Sequence, residues 1–191
     1  MFDLPMQITK TLHVTDRKTW REWLRKNYRK EKEIWLVYFR KNAGKSRVPY
    51  NDAVEEALCF GWIDSTVKKI DKDRFAQRFS RRNPKSEYSQ TNKERLRKLI
   101  ACRLVAKDVL AILGDIDPEQ YVFPTDIMKI LQVNQRANEN FQKYNAPYQR
   151  IRIAYIDKAR QRPLEFKKRI DNFLKLTEQN KQFGFGIETY F

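Results

Sequence analysis

The chain has 191 residues, 41% hydrophobic and 13% aromatic, which is enough for one full core or a domain with a small appendage and excludes a disordered chain. Forty Lys and Arg against 24 Asp and Glu give a formal net charge of +16 at pH 7, a balance that attracts phosphate, nucleic acid or other polyanions. His13 is the only histidine, Cys59 and Cys102 are the only cysteines, and no CxxC is present, so neither a zinc site nor a Ser-His-Asp triad is expected, and no cofactor.

In chain order, the first segment, "MFDLPMQITKTLHV", lacks a charged stretch followed by an apolar one and does not signal secretion. Thr15 or Asp16 caps a predicted helix to about residue 30, with Trp20, Trp23, Leu24 and Tyr28 on one face and seven Lys and Arg on the other. "EIWLVYFR" (33–40) reads as a buried strand, and "KNAGKSRVPY" as a loop. Asn51 or Asp52 starts a short helix to Phe60, with Val54, Ala57 and Leu58 inward and Gly61 as its stop. Residues 63–70 and 74–80 form a predicted hairpin closed by "DKD", with Phe75 and Phe79 alternating with polar residues.

After the polar loop "SRRNPKSEYSQTN", Ser89 or Thr91 caps a long predicted helix reaching Leu113, with Leu96, Leu99, Ile100, Leu104 and Leu110 along it. "GDIDPEQ" changes the composition. Helices follow over 126–132 (capped by Thr125), 134–144, 147–161 and 164–179, with Pro163 suited to the first turn of the last. Tyr148, Ile151, Tyr155 and Ala159 are expected to face Phe166, Ile170, Phe173 and Leu174 in a helical hairpin, and the aromatic end "FGFGIETYF" to dock on the body. Both cysteines lie in apolar helical contexts and read as reduced thiols. No run of eighteen apolar residues predicts a membrane span, and the expected location is the cytoplasm. The expected class is α+β: a small antiparallel sheet packed with helices over 1–115, followed by an all-helical C-terminal module over 116–191.

The charge is uneven. Residues 17–47 hold 12 Lys and Arg against 3 acids, and residues 67–107 hold 14 against 4.

Four motifs follow one another in order: "WxxWL" (20–24), "IWLVYFRKNAGK" (34–45), "YxDAVEEALCFGWIDS" (50–65) and "RFxRRxPKSxYSxxN" (78–92). Together they resemble the YdeI/OmpD-associated family, labelled bacteriocin-protection. "APYQRIRIAYIDKARQRPLEFKKRI" (146–170) is similar to that family's C-terminal helical module. Tyr88 stands where the family usually has Trp, and Arg81 where Pro is common. The resemblance implies a small α+β body followed by helices and a protective or binding role; it supplies no catalytic residue.

The surface that matches best is the corner at 61–65 with the loop at 81–92. There Trp62 offers a flat apolar wall, Asp64 an acceptor and Ser65 a hydroxyl. Arg82 suits bidentate recognition of carboxylate or phosphate, and Lys85 adds a point charge. Ser86, Tyr88, Ser89 and Asn92 complete a candidate ligand-binding set that favours a small anion. Structural alternatives accompany each: Trp62 plugging the core, Asp64 paired with Arg81 or Arg82, and Ser86, Ser89 and Thr91 as caps. Three functions compete. The first is a binding or stress-protection protein with an anion pocket at this corner. The second is a nucleic-acid-binding module using the basic faces at 17–30 and 67–107. The third is an enzyme with Asp64 as acid/base and Arg82 as clamp; the adjacent Glu55 and Glu56 diverge by about 100° on a helix and make a poor acid/base pair.

Overall fold

A computed structural model of the chain describes residues 7–40, 44–114 and 116–191; parts of the expected N-terminal segment, of the loop at 41–50 and of "GDIDPEQ" lie outside them. The chain is α+β and divides into two compact units, residues 1–87 with 95–114 and residues 88–94 with 115–191.

In the first unit, β1 (Thr11–Leu12) precedes helix α1 (Arg17–Asn27), whose start is fixed by Asp16: its carboxylate accepts from Thr19 N at 2.8 Å. Trp20 and Leu24 are fully buried, and the Trp20 indole N–H donates to Ala53 O at 3.0 Å. Strand β2 (Glu33–Phe39) buries Ile34, Trp35 and Leu36 in succession, so both of its faces are covered at that level. Helix α2 (Tyr50–Cys59) sends Val54, Ala57 and Leu58 inward and ends before Gly61, whose φ of +70° turns the chain into β3 (Trp62–Lys69). Strand β4 (Arg74–Arg81) pairs antiparallel with both β2 and β3, while β1 pairs parallel with β2, giving the order β1-β2-β4-β3.

The long helix expected to reach Leu113 stops early. Helix α3 runs from Gln90 to Ala101. Arg103 then takes a left-handed φ of 57°, and the N–H groups of Arg103 and Leu104 return to Ile100 O and Leu99 O, closing the helix end. Helix α4 (Lys107–Leu110) follows, and it is Val109 that is buried there, with Leu110 40% exposed. Cys59 is buried as expected; Cys102 lies past the helix and is exposed.

The second unit contains α5 (Thr125–Val133), α6 (Gln135–Lys143), α7 (Ala146–Asp157) and α8 (Pro163–Glu178). Asn134 and Asn145 cap α6 and α7, accepting from Ala137 N at 3.0 Å and Tyr148 N at 2.9 Å. Thr125 is the first helical residue of α5 rather than its cap, behind Pro124. Ile127, Leu131, Phe141, Tyr148, Ile151, Ile170 and Phe173 make one core. Ile187 and Tyr190 of the aromatic end join it, so this segment packs within the helical unit. Tyr155 does not face inward as the hairpin pattern suggested; it is 45% exposed. Among the described residues no helix is long and apolar enough to cross a membrane.

Candidate functional site

The residues singled out in the sequence divide between the units. Trp62, Asp64, Ser65, Arg82, Lys85 and Ser86 belong to the first, and Tyr88, Ser89 and Asn92 to the second.

Gly61 places Trp62 at the start of β3, but the indole is 1% exposed, donates its N–H to Tyr28 O at 3.2 Å and meets Trp23 edge-on. It is a core plug and leaves no open wall for a ligand ring. Asp64 is half-buried, and one of its oxygens accepts from Tyr50 OH at 3.0 Å and from Gln77 Nε2 at 2.8 Å. Of the two partners expected for it, Arg81 or Arg82, Arg81 is engaged elsewhere. That guanidinium donates instead to the carbonyls of Tyr28, Glu31 and Arg29, which close the end of α1 and the turn after it. Gln77, polar on a sheet face shared with Phe75 and Phe79, is buried because its amide serves Asp64. Burial, then the negative charge of Asp64, pushes the Tyr50 phenol up to about 12. The Tyr38 hydroxyl is also buried, has no hydrogen-bond partner, and is pushed up by burial and by Asp64 and Tyr50.

Ser65 is exposed, with Arg78 Nη1 3.5 Å from its Oγ. Arg82 is half-buried and anchors its backbone N–H on Gly61 O at 3.0 Å. Lys85 and Ser86 are exposed, their N–H groups turned onto Asn83. In the second unit Ser89 Oγ accepts from Asn92 N at 3.3 Å at the head of α3, as a cap; Tyr88 is half-buried and Asn92 buried.

The basic face of α1 is partly spent. Arg17 binds Glu56 at 2.6 Å, Glu55 at 2.9 Å and Asp52 at 3.3 Å, and Arg21 binds Glu56 at 2.6 Å and Leu104 O at 2.8 Å. Glu55 and Glu56 thus hold α1 against α2. Arg29 pairs with Asp108 at 2.9 Å.

The feature that sequence reasoning missed lies in the helical unit. A cavity of about 470 Å³ is lined by Thr91 of α3 and by residues of α7, α8 and the aromatic end, among them Arg152, Tyr155, Lys168, Asn172, Phe183 and Phe185. Arg152 is only 6% exposed, its Nε has no hydrogen-bond partner, and no carboxylate among the described residues pairs with it. Its guanidinium carbon sits 3.8 Å from the Phe183 ring centre and 5.0 Å from that of Tyr155. Aromatic faces offset only part of the cost of burying a charge. Burial accordingly lowers the Arg152 pKa, partly countered by Tyr148 and Tyr155 and deepened by neighbouring Arg169.

Arg169 lines the same cavity but is engaged, binding Glu165 at 2.7 Å and donating to Tyr155 O at 2.6 Å. With Glu165 so occupied, Arg152 and exposed Lys168 are the positive charges left to receive an anion. Gly184, with φ of +140°, lets the aromatic end pass: a Cβ there would lie 2.6 Å from Ile187 Cδ1 and 3.3 Å from Arg152 Nη1. The sequence signal for it is "QRIRIAY" (149–155), a basic residue between isoleucines on an otherwise apolar helix face.

A family model described as "Domain of unknown function (DUF8412)" matches residues 12–112, and one described as "Bacteriocin-protection, YdeI or OmpD-Associated" matches residues 120–180. The second takes in the cavity residues contributed by α7 and α8 but not Phe183, Phe185 and the rest of the aromatic end, while the motif-bearing first half matches the first. No curated protein and no solved structure gives a significant match.

Proposed function

We propose, for a chain that belongs to the DUF8412 family and ends in a YdeI/OmpD-associated segment, that it is a binding protein which accepts a small anionic ligand in the Arg152 cavity of its helical unit. The observation that carries this reading is one buried guanidinium, 6% exposed, with no counter-ion among the described residues and an unpaired Nε in a cavity of about 470 Å³. A buried positive charge is retained at a cost unless something offsets it, and an anion entering the cavity would form charge-assisted hydrogen bonds in a partly desolvated setting.

The corner at 61–65 supports this role less well. Its carboxylate repels an anion, and its indole is in the core. Protection, where the chain gives it, is then indirect, through the bound ligand. A chain of net charge +16 is unsuited to sequestering a cationic toxin by charge.

The test is a thermal-shift screen of inorganic anions, organic acids and sugar phosphates against wild type and Arg152→Met. Methionine keeps the length and apolar contacts of the side chain while removing its charge. An anion that raises the melting temperature of wild type and not of the variant supports the reading. Equal shifts in both, or no shift with any anion, count against it.

A further inference from the structure

We infer that the ligand of this cavity is of nucleotide chemistry: a terminal phosphate seated on Arg152, a base against the aromatic rim, and further phosphate along α8. This rests on the Arg152 cavity being an anion site, and three observations extend it.

The cavity does not end at Lys168. Leu164, Lys167, Lys168, Asp171, Asn172 and Lys175 line a second depression of about 450 Å³, and Lys168 and Asn172 belong to both. These six recur at helical spacing on one face of α8. Asp171 neutralises Lys167 at 2.6 Å, so the groove's available cations are Lys168 and Lys175. Seven residues apart, they stand two turns, about 10 Å, from each other. Arg152, Lys168 and Lys175 therefore form a row from inside the cavity outward. A compact monoanion uses only the first.

The rim is aromatic and open. Phe185 lines the cavity and is 83% exposed, whereas the Tyr155 ring, 45% exposed, already carries the Arg169 guanidinium 3.8 Å from its centre, so the base is assigned to Phe185. Phe185 sits between Gly184 and Gly186, whose φ values of +140° and +77° fix an unusual local path. The flanking chain is held down by the Phe183 N–H donating to Tyr148 OH at 3.0 Å and by buried Ile187. A large apolar ring presented beside unpaired cations is the pairing by which single-stranded nucleic acids are held: stacking for the base, positive charge for the backbone.

The depth of Arg152 selects the end of a chain. At 6% exposure it can be reached by a terminal group and not by an internal phosphodiester running across the surface.

The experiment is calorimetric titration of the full chain with four probes: inorganic phosphate, adenosine monophosphate, a 5′-phosphorylated trideoxyadenylate and the same trinucleotide without the phosphate. The inference predicts that the phosphorylated trinucleotide binds at least about tenfold more tightly than the other three. Phe185→Ala should weaken it by roughly tenfold, within the range for loss of one stacked base. Lys168→Ala with Lys175→Ala should flatten the dependence of log affinity on log salt by about 1.4, two single-strand phosphate contacts. Equal affinity for both trinucleotides overturns the terminal-phosphate seat. Inorganic phosphate binding as tightly as the trinucleotide, with loss in Arg152→Met, overturns the nucleotide inference and leaves the anion site standing. Binding of all probes unaffected by Arg152→Met, or no binding at all, overturns both.

Discussion

Arg152 and Tyr50 place polar groups inside the fold in two different ways. Arg152 is a charge without a counter-ion among the described residues, and replacing such a group by an apolar one of similar volume is commonly neutral or stabilising. Arg152→Met should leave the ligand-free protein as stable as wild type or more so by about 1 kcal/mol, read from the urea midpoint. A loss above roughly 2 kcal/mol would mean that the cation–π contacts with Phe183 and Tyr155 hold the fold together. Tyr50 is the opposite case, a neutral phenol bonded to a carboxylate. Its folded pKa of about 12 exceeds the unfolded value near 10, so its contribution is complete below pH 10 and is lost as pH rises towards 12. Stability measured from pH 9 to pH 12 should fall less steeply in Tyr50→Phe than in wild type; identical slopes would show that the Tyr50–Asp64 bond does not govern the titration. Asp64 was legible in the sequence as a hydrogen-bond acceptor at the corner, but its partners were not. Tyr50 and Gln77 reach it only after α2 and the bulged β3–β4 pairing bring them round.

At the level of elements, local chemistry was legible wherever a cap or a stop spoke for itself. Asp16, Gly61 and Pro163 mark boundaries in the sequence and mark them in the structure. Asn134, expected as the first residue of the helix over 134–144, and Asn145, between two predicted helices, instead cap the helices that follow them, each side chain closing the first turn. Asn134→Ala and Asn145→Ala should each cost about 1 kcal/mol in chemical denaturation, and a cost near zero in both would remove the caps from the account. The end of α3 was hidden because Leu104 continues the apolar spacing past Ala101. The stop is a left-handed Arg103, a conformation that side-chain type did not announce. The path of the aromatic end depends on a residue the sequence did show. Gly184→Ala forces a Cβ into Ile187 at an unfavourable φ and should cost about 2 kcal/mol. Proteolysis near residue 184 that stays as slow as in wild type would contradict that.

Over the whole molecule the charge divides unequally. The first unit holds 26 Lys and Arg against 13 acids, the second 14 against 11. A general attraction for polyanions is therefore expected of the first unit, where Lys18, Arg25, Lys26 and Lys30 stay exposed beside the paired Arg17 and Arg21. Any affinity for duplex DNA should decline steeply with salt and be untouched by Arg152→Met. In the second unit the excess is small, so what matters is placement: one guanidinium buried among aromatic rings. The pattern of predicted elements made the α+β class legible, and composition the basic character. Neither showed the cavity, because residues of α7, α8 and the chain's end meet there only once the helices have packed.

The most direct test sets the two candidate sites against each other in one measurement. Calorimetric titration with the best anion from the thermal-shift screen is carried out on wild type, Arg152→Met and Arg82→Ala. The account predicts that binding survives in Arg82→Ala with its affinity unchanged within about twofold, and falls at least about tenfold in Arg152→Met, as expected for a lost charge-assisted hydrogen bond of about 1.5 to 3 kcal/mol. Loss in Arg82→Ala with full binding in Arg152→Met would contradict it and return the anion site to the corner at 61–65.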